Sequence, residues 1–230
     1  MDGTEGFKPA LGFHVLTPLY DRVVAMTTRE RTFKQALLDQ AAIEPHQQVL
    51  DVGCGTGTLA IGAQQRQSGV RVSALDADPT VLAIAVRKAH RAGADIAFDQ
   101  GRSSALPYAD EQFDRVLSSL FFHHLSWGDK LLTAREIHRV LRPTGELHVA
   151  DWGRAGGLAS RAAFLMVQLL DGFETTSDNV AGMLPVLFGS AGFRQVEETR
   201  RISTALGIVS LYRAVKSGAG PGKRSAGGKA

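Results

Sequence analysis

Cysteine is almost missing from this sequence. Cys54 is the only one in 230 residues, which excludes an internal disulfide and any metal site built from several thiolates. Zinc-finger and redox-pair readings drop out with them. Long apolar runs are missing too: none approaches the roughly 18 residues that a membrane span needs, so no span is expected. The stretch Met1 to Leu11 lacks the basic-then-apolar order and the small-residue cleavage site of a secretory signal, and it does not read as a transit peptide. A cytoplasmic protein is the default expectation. An excess of charge is also nearly absent. The formal net charge is +3, yet Ser217 to Ala230 carries Lys223, Arg224 and Lys229 and no acid, which leaves the remainder formally neutral. The basic balance belongs to a Gly/Ser/Ala/Lys tail over 217–230 that is too poor in apolar residues to form a core and is expected to be disordered. Charge therefore gives nucleic-acid binding no support. No sustained internal repeat interrupts the chain, and residues 1–216 read as one domain.

What is present is an alternation of strands and helices. Hydrophobic residues make up 44% of the chain and charged residues 21%, enough apolar material for the core of one α/β domain. Thr17-Pro18 starts a short helix over about 17–26, and Phe33, Ala36, Leu37 and Ala41 mark a second over about 28–42. Gln48 to Val52 then reads as a strand, followed by a Gly-rich turn and a helix from Thr58 to about Gln67. Val70 to Leu75 is a second strand, and Asp78-Pro79 caps and starts the helix after it. A third strand falls near Asp95 to Phe98. Phe113 to Leu120 is a strand, Lys130 to Leu141 a helix, and Gly145 to Asp151 a fifth strand. Such alternation predicts a parallel sheet covered on both faces by helices, a Rossmann-like three-layer α/β sandwich. The last two strands, Phe193 to Ile202 and Ile208 to Val215, are joined by a link too short for a parallel crossover, so the final strand should run antiparallel. The stretch of about 153–192 is longer than a crossover needs and reads as a helical insertion. Ala162 to Leu170 is apolar on nearly every side, and another helix is expected over about 178–191.

Chemistry concentrates at the first turn. Val49-Leu-Asp-Val-Gly-Cys-Gly-Thr-Gly-Thr58 sets Gly53, Gly55 and Gly57 at alternate positions between a strand and a helix, where backbone amides approach a ligand and the helix N-terminus favours negative charge. A dinucleotide site would have the spacing G-x-G-x-x-G; this one is G-x-G-x-G. Asp51 beside a pyrophosphate would be repulsive, whereas beside an ammonium or sulfonium it is favourable. Asp76 ends the second strand about 20 residues on, where a carboxylate can accept from a ribose diol. Together these point to a zwitterionic nucleoside. The bland alternative is a tight turn with a capping aspartate.

Leu50-Asp-Val-Gly-Cys-Gly-Thr-Gly57 and Leu75-Asp-Ala-Asp-Pro79 resemble the first two motifs of the class I S-adenosylmethionine-dependent methyltransferases, especially the small-molecule branch related to the quinone C-methyltransferases. Leu106-Pro-Tyr108, Phe113-Asp-Arg-Val-Leu-Ser-Ser119, His123-His-Leu125 and Val140-Leu-Arg-Pro-Thr-Gly145 recur in that order in the family, and the resemblance covers roughly 17–215. It implies a seven-stranded sheet ordered 3-2-1-4-5-7-6 with strand 7 reversed, S-adenosylmethionine as cofactor and a small-molecule methyl acceptor as partner. It places Gly53, Cys54, Gly55 and Gly57 along the methionine and ribose, Asp51 near the amino group, Asp76 on the ribose hydroxyls, Ala77 against the adenine and Ser118 beside the methionine. The segment of about 12–43 would be a lid, with Tyr20 closing the pocket and His14 a lesser candidate. Family members commonly carry Gly-Asp-Ala where this chain has Gly101-Arg102-Ser103. Either Ser103 or a backbone group then takes over the adenine contact, or the adenine end binds more weakly.

Methyl transfer from a sulfonium needs position more than it needs a nucleophile or a metal. A general base enters only when the acceptor must lose a proton. His123, His124 and Asp151, beyond the carboxyl ends of the fourth and fifth strands, are the candidates, each with a packing or capping role as the alternative. Trp152 either stacks on an aromatic acceptor or walls the pocket. Asp171, Glu174 and Asp178 are too irregularly spaced for a metal site and read as a solvated face, so no metal is expected. Two rival readings remain: a non-catalytic S-adenosylmethionine-binding protein, and a nicotinamide oxidoreductase, for which the glycine spacing and Asp51 are wrong.

Overall fold

Helical spacing of apolar residues builds the first element of the computed structural model, which describes residues 29–154 and 173–218. Phe33, Ala36, Leu37 and Ala41 lie on one buried face of α1 (Glu30–Ala41). Phe33 and Leu37 are fully buried, and each such side chain contributes about 1.5–3 kcal/mol to holding the helix on the sheet. The expected helix over 17–26, with His14 and Tyr20, the apolar helix over 162–170, Asp171 and the tail from 219 lie outside the described residues.

The alternation then follows as β1 (Gln48–Val52), α2 (Thr58–Gln64), β2 (Arg71–Asp76), α3 (Pro79–Arg91), β3 (Ile96–Gln100), β4 (Phe113–Ser119), α4 (Trp127–Val140) and β5 (Leu141–Trp152). After it come α5 (Phe173–Val180), α6 (Leu184–Ser190), β6 (Arg194–Thr204) and β7 (Gly207–Val215). All seven strands form one sheet in the order β3-β2-β1-β4-β5-β7-β6, as the resemblance implies. β1 to β5 pair in parallel, while β7 runs antiparallel to β5 from Glu146↔Val215 to Trp152↔Val209. The two residues between β6 and β7 permit no other direction. One face of the sheet carries Val49, Ala150 and Trp152 against α1 and α2, and the other carries Leu50, Val149 and Tyr212 against α4 and α6. Strand order reverses between β1 and β4, and ligands of such sheets bind in the crevice beyond the carboxyl ends there.

Three departures from the sequence reading have a local cause. α4 begins at Trp127 rather than Lys130, because the Ser126 hydroxyl caps it by accepting from the Asp129 amide at 3.2 Å. β5 starts at Leu141, directly after α4, and its register against β4 slips between Phe113 and Arg115, where the Pro143-Thr144-Gly145 turn is absorbed as an irregularity. The helix expected over 178–191 is two helices. Gly182 adopts φ 75° between them and Pro185 sits in the first turn of α6, so a left-handed C-terminal stop and a proline start divide the segment.

Candidate active site

At the end of β1 the chain bends through Gly53, Gly55 and Gly57, all left-handed in φ. The bend is held by its own backbone: the Gly53 and Cys54 amides donate to the Leu75 carbonyl at 2.9 and 3.0 Å. At Gly55, its chain neighbours aside, no atom of the described residues lies within 4 Å of where a Cβ would stand, so this residue faces open space. Gly53 differs, for the Phe121 ring fills that direction. Cys54 is buried beneath the bend and burial pushes its thiol up, so it stays protonated.

Asp51 lies fully inside the protein, and among the described residues neither carboxylate oxygen has a hydrogen-bond partner. Burial pushes its pKa up to about 7; Lys34 on α1 and the Ala60 amide oppose the shift without closing a hydrogen bond on either oxygen. Asp76, at the end of β2, accepts the Gly55 amide at 2.8 Å on Oδ2 and the Asp78 amide at 3.0 Å on Oδ1. One bond to each oxygen leaves acceptor capacity on both. Burial raises its pKa, against the pull of these amides. An orphaned buried carboxylate, an open glycine face and a half-used carboxylate fit the ammonium, main chain and ribose of an adenosyl amino acid. Among the described residues no cluster of three or more histidine, cysteine or acidic side chains could hold a metal ion.

The remaining cofactor candidates are placed less uniformly. Ala77 follows Asp76, and its carbonyl accepts from Gln100 Nε2 at 3.3 Å. Arg102 is exposed. The Ser103 hydroxyl is buried against α4, 2.8 Å from Thr133 Oγ1. Ser118 is also committed to structure, donating to the Val52 carbonyl at 2.9 Å and tying β4 to the end of β1.

The acceptor-side candidates do converge. His123 Nδ1 lies 2.8 Å from Asp151 Oδ1, and both residues are buried. Asp151 also accepts the Phe121 amide at 3.1 Å, the Trp152 amide at 2.7 Å and Asn179 Nδ2 at 3.1 Å. Burial alone would raise its pKa; the electrostatic pull and hydrogen bond of the His123 imidazole, with the Trp152 amide, more than reverse this and hold the carboxyl below its ordinary range. His124 stacks at 3.9 Å between ring centroids on His123. Surrounding protein and then His123 lower its pKa, although the residue stays exposed, which damps the shift. Trp152 is buried and meets His123 edge-on at 6.3 Å, as a wall. Asp178 pairs loosely with Lys130, 3.7 Å away, and Glu174 has no described side chain.

Sequence reasoning missed two residues here, Asn179 and Lys130. Lys130 is fully buried and donates to the Thr175 carbonyl of α5 at 2.7 Å. Burial lowers its pKa, while Asp178 and Asp151 act against that. Its signal was legible: Lys130, Thr133, Ala134, Ile137 and Val140 form the buried stripe of α4, so an ammonium stands at an apolar position. Asn179 carried no such mark.

Comparison with known proteins identifies the family. Residues 49–145 match the family model described as a methyltransferase domain. The demethylmenaquinone methyltransferase of Deinococcus radiodurans is 30% identical over 90% of this chain and 87% of its own length. That of Thermus thermophilus is 32% identical over 61% of this chain, an alignment spanning 64% of the relative. A S-adenosylmethionine-dependent methyltransferase from Aquifex aeolicus shares the fold at TM-score 0.62 and 20% identity, over 80% of this chain and 89% of that one. The chain therefore belongs to the class I S-adenosylmethionine-dependent methyltransferases acting on small molecules, and within them is similar to the quinone methyltransferases.

Proposed function

We propose that the acceptor is a small aromatic ring bearing hydroxyl groups, the reduced form of a quinone of the demethylmenaquinone kind, and that His123 removes a hydroxyl proton while Asp151 fixes the imidazole. The observation that carries this reading is the buried His123–Asp151 pair at the carboxyl ends of β4 and β5. Relatives named for demethylmenaquinone favour the acceptor class.

Asp51 would hold the cofactor's ammonium, the bend at Gly55 its main chain and Asp76 its ribose. Bound there, S-adenosylmethionine supplies an electrophilic methyl group on a sulfonium. With its Nδ1 proton directed to Asp151, His123 has Nε2 as its basic nitrogen, the orientation that a buried carboxylate imposes on a catalytic histidine. Nε2 takes the hydroxyl proton, and the charge left on oxygen spreads to the adjoining ring carbon, which becomes the nucleophile. Once that carbon has gained the methyl, its own hydrogen leaves as a proton and aromaticity returns. Holding ring and methyl in line supplies several kcal/mol of the barrier, on the order of half of what such alignment can achieve.

The test is incubation with methyl-labelled cofactor and reduced demethylmenaquinone under anaerobic conditions. The label should appear on a ring carbon. Replacing His123 by Ala should lower turnover on the order of 10²- to 10⁴-fold without weakening cofactor binding. Absence of label in any hydroxylated ring acceptor would remove the acceptor assignment.

A further inference from the structure

We infer that Asn179 is a specificity-determining residue that accepts a hydrogen bond from a second hydroxyl of the methyl acceptor. The inference rests on the acceptor class proposed above and adds a named contact to it.

Asn179, in the last turn of α5, is fully buried. Its Nδ2 donates to Asp151 Oδ1 at 3.1 Å, the oxygen that also meets His123. Its Oδ1 is buried with no partner among the described residues. The two ends of the amide cannot be exchanged, because a carboxylate oxygen requires the donor. An acceptor left unmatched inside a protein costs about 1–3 kcal/mol, and native structures contain few of them. Here the unmatched oxygen is two bonds from the nitrogen that holds the catalytic pair, so a donor arriving on a substrate would meet it.

The helix is fixed in place for this role. Lys130 Nζ donates to the Thr175 carbonyl at 2.7 Å and lies 3.7 Å from Asp178 Oδ2, gripping α5 in the turn that leads into Asn179. Three residues on, Gly182 with Ala181, Pro185, Arg154 and Tyr212 lines a cavity of about 660 Å³, so there is room beside the end of α5. One hydroxyl cannot give its proton to His123 and also donate to Asn179. An aromatic diol can satisfy both, with one hydroxyl for each. A neutral carbonyl oxygen accepts from a hydroxyl and gains nothing from a methoxy group, so it would discriminate between the two.

Calorimetry on protein loaded with S-adenosylhomocysteine, under anaerobic conditions, should compare 1,4-naphthohydroquinone with its monomethyl ether. The wild-type protein should prefer the diol by about tenfold, one net hydrogen bond. In Asn179→Leu the ratio should fall to near unity with the S-adenosylhomocysteine affinity intact. Asn179→Asp keeps an acceptor oxygen and should keep the preference while its binding becomes pH-dependent, because two carboxyl groups then adjoin. A folded N179L variant that retains the full preference overturns the role of Asn179 and leaves the acceptor class standing. If N179L loses cofactor binding, N179D decides, since loss of the preference there overturns the inference. Failure of the wild type to bind either compound removes the acceptor class, and this inference with it.

Discussion

Two buried aspartates end two strands on opposite faces of the sheet, and they titrate in opposite directions. Asp51, at the end of β1, packs on the side of α1 and α2 with no hydrogen bond to either oxygen, and burial lifts its pKa to about 7. Asp151, at the end of β5 on the side of α4 and α5, receives four donors and is held below the ordinary carboxylate range. Burial is equal, so the difference lies in the partners. Burying an ion costs several kcal/mol unless hydrogen bonds and an opposite charge offset it. For Asp151 the fold supplies them; for Asp51 no described residue does, and the cofactor's ammonium is the partner we propose.

The sharpest way to break this contrast is to neutralise each carboxylate in turn. Asp151→Asn should cause the larger loss, a fall in turnover on the order of 10³-fold or more, because the asparagine no longer holds the His123 tautomer. The protein should also melt earlier, since the donors facing Asp151 lose a charged acceptor. Asp51→Asn should weaken binding of S-adenosylhomocysteine on the order of 100-fold, the cost of truncating one partner of a buried charge pair. Its ligand-free melting temperature should hold or rise, because an unpaired buried ion is gone. Calorimetry and thermal melts on both variants check this, and melting shifts of the same sign would dissolve the distinction between the two sites.

The same contrast explains how much was legible beforehand. Asp51, the glycine bend and Asp76 lie within one β-α-β stretch, so spacing along the chain already carries their geometry. His123 and Asp151 were named from the ends of their strands, but their pairing depends on β4 and β5 being neighbours. Asn179 meets Asp151 across 28 residues and Lys130 meets Thr175 across 45, and such contacts follow from the docking of α5, which no local pattern encodes. Ser103 is a further case. Its position in the motif suggested a ligand contact, and its hydrogen bond to Thr133 across 30 residues is one that no local pattern announced. The break between α5 and α6 was legible in Gly182 and Pro185 and was read through because the apolar spacing continues across it.

The smallest expected effect is also the most specific to Asp51. In the unfolded chain its pKa is the ordinary 3.8, and in the folded chain it is about 7. The native state thus binds the proton more tightly, so the stability this group contributes is complete below about pH 4 and is lost as pH rises through about 7. Cofactor binding has the opposite slope. An ammonium partner favours the ionised carboxylate, so binding below pH 7 must expel the proton, and affinity for S-adenosylhomocysteine should fall about tenfold for each pH unit below 7 and level off above it. Cys54 does not titrate in this window because burial raises its thiol. Burial raises Asp76 as well, which is why D51N is the control that isolates Asp51. Calorimetry at pH 6 in buffers of different ionisation enthalpy should detect a released proton in the wild type and much less in D51N. An equal release from both would mean that Asp51 is already ionised without its ligand, and that its burial is matched by partners within the chain as that of Asp151 is.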